Sequence, residues 1–325
     1  MSNMLPNNKK QRQLIITGIW IFNVIALIGI TVTLVFFITK RPISYPVSPN
    51  ITSTQISSVT AENPSSHSYA IPMDTLVHSP TPIIGNSATP FAPGKRPITI
   101  GYSVAGRPIE VYQFGNGSTA RMIIAGIHGG NEWNTIVLAD ELINYLQEHD
   151  ETIPVDKTLY ILRNLNPDGE ARAHTIDGRA NDRGVDLNHN WPLFWQPDWR
   201  RDDCWNYRPL TAGAYPASEP ETASLMNFIS LHKIDALISY HSAALGIFPG
   251  GRPPDPASIS LAKAAAIVSG YEYPPANTDC DFTGNLADWA SAQNIAAIDI
   301  ELTNHTDSEF DWNFRVLITL LNWKK

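Results

Sequence analysis

Three side chains that can bind a metal ion each follow a run of apolar residues. His128 and Glu132 come after "ARMIIAGI", and His241 closes "ALISYH". Two imidazoles and one carboxylate with an open fourth position form the donor set of catalytic zinc. A fourth residue, Glu301, follows "IAAIDI" and offers a carboxylate that can move a proton as a general base. Each of these residues alone has an ordinary structural reading, as a hydrogen-bonded histidine or a salt-bridged acid. Their shared position after apolar runs makes the set informative. Gly129 and Gly130 let the backbone bend, so that His128 and Glu132 can face one point.

The elements that must position these groups follow from hydrophobic periodicity. "ITIGYSVAGRPIEVYQFG" predicts a hairpin around Ala105-Gly106. Continuous β-branched and apolar runs at 120–130, 158–165, 235–242 and 295–302 predict buried strands. Helical spacing predicts helices over 134–149, 218–233, 258–270, 285–293 and 309–323, with Ser218 and Glu221 as a capping box. Strands alternating with helices give an α/β fold, doubly wound, with a mostly parallel mixed sheet and helices on both faces. Functional groups in such sheets gather beyond the carboxyl ends of the strands. His128, Asn166, His241 and Glu301 all fall there.

The N-terminal third has another character. Residues 1–13 form a short tail. Residues 14–39 are almost wholly apolar and flanked by Lys9, Lys10, Arg12, Lys40 and Arg41. About 20 such residues span a bilayer as a helix. The run is too long for a cleavable signal core, so an uncleaved transmembrane signal anchor is expected. Residues 40–95 are rich in Pro, Ser and Thr and lack periodicity, which predicts a disordered linker. Residues 96–325 then form one globular domain. This arrangement predicts a single-pass membrane protein, held by its N-terminal helix, with the globular domain extracytoplasmic and monomeric. The net charge of −8 carries no basic patch and excludes nucleic acid as a partner. Cys204 and Cys280 permit one disulfide or two free thiols.

Six segments in order resemble the M14 zinc carboxypeptidase family. They are "AGIHGGNEWN", the "NPDG" turn at Asn166–Gly169, "GRANDRGVDLNHNWP", "SEPET" at Ser218–Thr222, "YHS" at Tyr240–Ser242, and Gly284 to Trp289 followed by Glu301-Leu302. The resemblance covers most of residues 120–302. It implies that His128, Glu132 and His241 hold one zinc ion (Zn2+) per chain and that Glu301 is the general base. It also implies that Arg179 stabilises the oxyanion, with Arg183 as a competitor, and that Asn188 and His189 hold the terminal carboxylate of a peptide substrate. Residues 96–325 are then a zinc peptidase catalytic domain that hydrolyses bonds at or near the C-terminus.

Three departures from the family pattern bear on that reading. Three residues rather than two separate His128 from Glu132. His189 replaces an arginine, exchanging a permanent bidentate cation for a single donor that titrates. The family's substrate-capping tyrosine has no clear match; Cys280 sits near its place, with Tyr271 and Tyr273 as possible substitutes. His189 keeps open an activity on cell-wall (peptidoglycan) stem peptides. A catalytically weak binding protein would have lost Glu301 or a ligand, and neither is lost. Trp191, Trp195, Trp199 and Trp205 either shape a substrate groove or pack a surface loop. His305 reads either as a surface histidine or as a residue that supports the base from behind.

Overall fold

The computed structural model describes residues 96–199, 210–278, 280 and 282–325. The expected tail, anchor and linker lie outside the described residues, as do Cys204 and Trp205. No helix among the described residues is long and apolar enough to cross a membrane.

Among the described residues, seven strands form one sheet: β1 (Ile98–Tyr102), β2 (Pro108–Phe114), β3 (Thr119–Ile124), β4 (Lys157–Leu162), β5 (Ile234–Ser242), β6 (Ile247–Pro249) and β7 (Ala296–Leu302). Their spatial order is β1-β2-β4-β3-β5-β7-β6. β4, β3, β5 and β7 run parallel through the middle. β1 and β2 form the expected hairpin, and β2 joins β4 antiparallel, as β6 joins β7. The sheet is therefore mixed, with parallel pairing confined to its centre, rather than mostly parallel. A hairpin turn is too short for the crossover that parallel pairing needs. The short β6, which ends in Pro249, shows no periodicity that the sequence could have revealed.

Among the described residues, six α-helices accompany the strands: α1 (Trp133–Glu148), α2 (Pro167–Arg172), α3 (Pro220–His232), α4 (Pro256–Ser269), α5 (Leu286–Ala292) and α6 (Phe310–Asn322). Side chains alternate across β3, and the core divides accordingly. Ile123 packs with Leu142 of α1, Leu261 of α4 and Leu317 of α6. Met122 and Ile124 pack on the other face with Leu225 and Phe228 of α3 and Leu286 of α5. Helices thus cover both faces, as expected. The predicted capping box on α3 is absent. Pro220 occupies the first turn, Glu219 is the N-cap, and no side chain caps it. Ser218 Oγ instead accepts from Asn190 Nδ2 and donates to Glu219 Oε1.

Candidate metal centre

All four parallel strands end at one edge of the sheet, and the polar residues that follow them meet there. His128 follows β3, and Gly129–Glu132 form a single 3-10 turn into α1. Gly129 has φ +47°, and a Cβ on Gly130 would lie 2.0 Å from the Ala173 carbonyl oxygen. The positive φ and the close approach both require glycine, and they accommodate the extra residue between His128 and Glu132. His241 and Glu301 are direct cross-strand partners between β5 and β7.

His128, Glu132 and His241 are buried, and one donor atom from each lies within 4.8 Å of the others. His128 Nδ1 is 2.8 Å from Glu132 Oε1. His241 Nδ1 is 3.3 Å from Glu132 Oε2 and 3.2 Å from His128 Nδ1. The outer nitrogens are also served. His128 Nε2 is 3.2 Å from Asp186 Oδ1, and His241 Nε2 is 3.1 Å from Ser239 Oγ. Partners of this kind orient ligating imidazoles and fix their tautomer.

Arg179 closes one side. Its Nε donates to Asp186 Oδ2 at 2.8 Å and its Nη1 to Glu132 Oε1 at 3.2 Å. Asn166 of the "NPDG" turn holds the loop, since its Nδ2 donates to the Arg179 carbonyl. Arg183 is more than half exposed, lies 3.6 Å from Glu219, and does not line the cavity.

The electrostatics suit a bound cation. Burial would raise the Glu132 carboxyl, but the charges and hydrogen bonds of His128 and His241 outweigh it and hold it well below the usual range. Burial opposes a proton on His241, yet the Glu132 hydrogen bond and the charges of Asp299, Glu132 and Glu301 raise its pKa to about 9. Burial, reinforced by the Glu132 charge, pushes Glu301 up to about 8, and its Oε2 is buried without a hydrogen-bond partner among the described residues. Buried acids that mutually disfavour ionisation make a field in which a cation is favourable. Two imidazoles and a carboxylate match zinc in ligand type, and the three residues fit one such ion.

A cavity of about 350 Å³ opens on this set. Asn188, His189 and Trp199 line its other side, together with Arg252, Cys280, Phe282 and Asp288. Asn188 Oδ1 accepts from the Leu286 N–H, leaving its Nδ2 as a donor. His189 is buried, stacks on Trp199 at 3.8 Å, and lies 3.3 Å from Thr283 Oγ1. Burial lowers its pKa to about 4, against the raising charge of Asp186. The tryptophans divide: Trp191 is core against Trp289, Trp195 binds the Ala212 carbonyl, and Trp199 faces the cavity. Tyr271 is no substitute for the capping tyrosine, because its hydroxyl is buried on Glu309 and Asn313, away from the cavity. Tyr273 does not line the cavity either. Cys280 is disulfide-bonded. His305 is exposed, as read, with Nδ1 3.0 Å from Ser242 Oγ. Sequence reasoning missed Ser239, Arg252, Asp288 and Asp299 as residues of the site.

The chain matches the zinc carboxypeptidase family model over residues 95–318. It is 32% identical over 235 residues to carboxypeptidase A1 of Mus musculus, covering 61% of this chain and 54% of that protein. It is 26% identical over 215 residues to murein peptide amidase A of Escherichia coli (strain K12), covering 62% and 79%. Thrombin activatable fibrinolysis inhibitor shares the fold with a TM-score of 0.58 at 19% identity, over 70% of this chain and 68% of that one. The chain spans about half the length of the curated carboxypeptidases it matches. A family match over most of the chain, on a fold that gathers two histidines and a glutamate at one sheet edge, makes this protein a member of the zinc carboxypeptidase family of metallopeptidases.

Proposed function

We propose that this chain is a zinc-dependent metallocarboxypeptidase that hydrolyses peptide bonds at or near the C-terminus of its substrate. We further propose that residues 14–39 tether it as a single-pass membrane protein, with residues 96–325 outside the cytoplasm. One observation carries the catalytic reading. Three buried metal donors, an unpartnered carboxylate in register beside one of them, and a guanidinium fixed by two acids line a single cavity. His128, Glu132 and His241 would hold the zinc, which when bound would supply a Lewis acid that polarises a carbonyl and makes water more acidic.

The remaining work belongs to the chain's own residues. Glu301 takes the proton from water and returns it to the leaving amine; burial makes it a stronger base than an ordinary glutamate. Arg179 presents its guanidinium at the cavity wall in a direction set by Asp186 and Glu132. A fixed cation of this kind stabilises negative charge that develops on the carbonyl oxygen. Asn188 offers its Nδ2 to a substrate oxygen.

His189 supports a second reading. Neutral and stacked on Trp199, it lacks the fork that clamps a free terminal carboxylate. This favours cell-wall stem peptides, whose anchoring need not rest on that carboxylate. Metal analysis of the purified chain is expected to give about one zinc, and Glu301→Gln to lower turnover by about 10²-fold or more while zinc stays. Absence of metal, or turnover left undiminished by that substitution, refutes both readings. Mass spectrometry of a mixed panel then decides between them: release of C-terminal residues from linear peptides supports the first, and cleavage confined to stem peptides supports the second.

A further inference from the structure

Asp299 lines the same cavity and has no assigned part in the chemistry above. It stands two residues before Glu301 on β7, so both carboxylates leave the same face of the strand, about 7 Å apart along it. Its Oδ1 is buried and has no hydrogen-bond partner among the described residues. A buried polar atom without a partner is costly, and a native structure keeps one where something else supplies the partner.

No side chain among the described residues lies close enough to do so. His241 Nε2 is 3.7 Å from Asp299, too far for a hydrogen bond, and Ser239 already serves it at 3.1 Å. Both guanidinium groups lining the cavity are engaged. Arg179 faces Asp186 and Glu132, while Arg252 Nε donates to Asp288 Oδ2 at 2.7 Å and its Nη2 binds the Phe282 carbonyl. Asp288 is further satisfied by the Gly251 N–H at 2.7 Å and by Asn285 Nδ2 at 3.0 Å. Apart from Glu301, which has its part as the general base, Asp299 is the cavity acid left without a partner among the described residues. Its cross-strand partners are Ser239 on β5 and Phe248 on β6, and Phe282, whose ring lies 5.9 Å from that of Phe248, lines the same cavity with Ala287. Apolar walls ending in one carboxylate suit an alkyl chain tipped by a cation.

We infer that Asp299 determines specificity for a substrate residue whose side chain carries a positive charge. This rests on the hydrolytic reading above and names the class of residue it releases. Lysine or arginine in a linear peptide has that chemistry. So does the diamino acid of a cell-wall stem peptide, whose second amino group lies on its side chain.

The test compares isosteres that differ in charge, using the full chain loaded with zinc. Paired peptides ending in lysine or in norleucine are expected to differ in kcat/KM by on the order of 100-fold, in favour of lysine. Asp299→Asn is expected to bring that ratio close to one, and Asp299→Ser to do the same should the amide crowd the site. A ratio near one in the unsubstituted chain, or a ratio the substitutions leave unchanged, overturns the assignment. Calorimetry with free lysine and free norleucine gives a readout independent of turnover, in which lysine binds at least tenfold more tightly and only while Asp299 is present. If no peptide is cut, the hydrolytic reading fails, and the calorimetry still decides on Asp299. Among cationic substrates, a lysine peptide run against a stem peptide ending in a diamino acid identifies the source.

Discussion

His128 and His189 are both buried histidines lining one cavity, yet their walls are built in opposite ways. His128 has Glu132 on one ring nitrogen and both Asp186 and the Arg179 guanidinium on the other. His189 has a tryptophan face and a threonine hydroxyl, and burial keeps it neutral. The first wall is fixed several times over, by strand register, by a glycine turn and by shared carboxylates. The second is apolar and sparsely bonded. The difference teaches where change is tolerated. A metal centre works only in one geometry, so its supports are redundant. A recognition wall is defined by the groups it leaves open, so its residues set selectivity without altering the reaction.

Substitutions on the first wall are expected to have the largest effects. Glu301→Gln should lower kcat by about 10²–10⁴-fold. Zinc content should stay at one per chain, because Glu301 is beside the ligands and not among them. A parallel loss of zinc would show that Glu301 supports the metal rather than moving a proton. Arg179→Ala follows, with kcat lower by about 10²–10³-fold and KM changed far less. A defect confined to KM would move Arg179 from charge stabilisation to substrate anchoring and weaken the contrast between the walls.

Asp186→Asn tests redundancy itself. Asp186 accepts from Arg179 Nε and faces His128 Nε2, and the Arg179 charge together with these contacts outweighs its burial to hold its carboxyl well below the usual range. The amide keeps the shape and loses the charge. Zinc affinity should fall about 10–100-fold in competition with a chelator, the range seen when a partner behind a ligand is lost. An unchanged affinity would mean that His128 is positioned by its backbone alone.

The contrast also explains what the sequence disclosed. Buried strands were legible because apolar runs need no partner information, and the residues just past them were readable as a rim. Gly129 and Gly130 signalled the turn that aims Glu132. The β1–β2 hairpin at one edge of the sheet was legible, but the antiparallel β6 at the other was not, because it is too short for any periodicity. Ser218 misled because a capping box is a local pattern, and Pro220 together with Asn190 drew that hydroxyl elsewhere. Asp299 was invisible for a different reason. Between Ile298 and Ile300 it reads as the polar half of a strand alternation, and only the sheet order reveals that this face opens on the cavity. Arg252 and Asp288 are far apart in sequence, and nothing local marks them as a pair.

The smallest expected effect concerns His189 and is thermodynamic. Folded His189 has a pKa of about 4, while a histidine in the unfolded chain titrates near 6.5. Between those values the unfolded state binds the extra proton and the folded state does not. Stability should therefore fall as pH drops from about 6.5 to about 4 and level off below, by on the order of 3 kcal/mol from this residue. His189→Gln keeps a polar side chain that does not titrate. Urea unfolding of both proteins at several pH values should show the unsubstituted chain losing stability relative to the variant across that window, with the two curves parallel above pH 7. Curves parallel throughout would mean that His189 accepts a proton in the folded state. The cavity would then carry a second cation within reach of a terminal carboxylate, and the wall opposite the metal centre would recognise charge rather than shape.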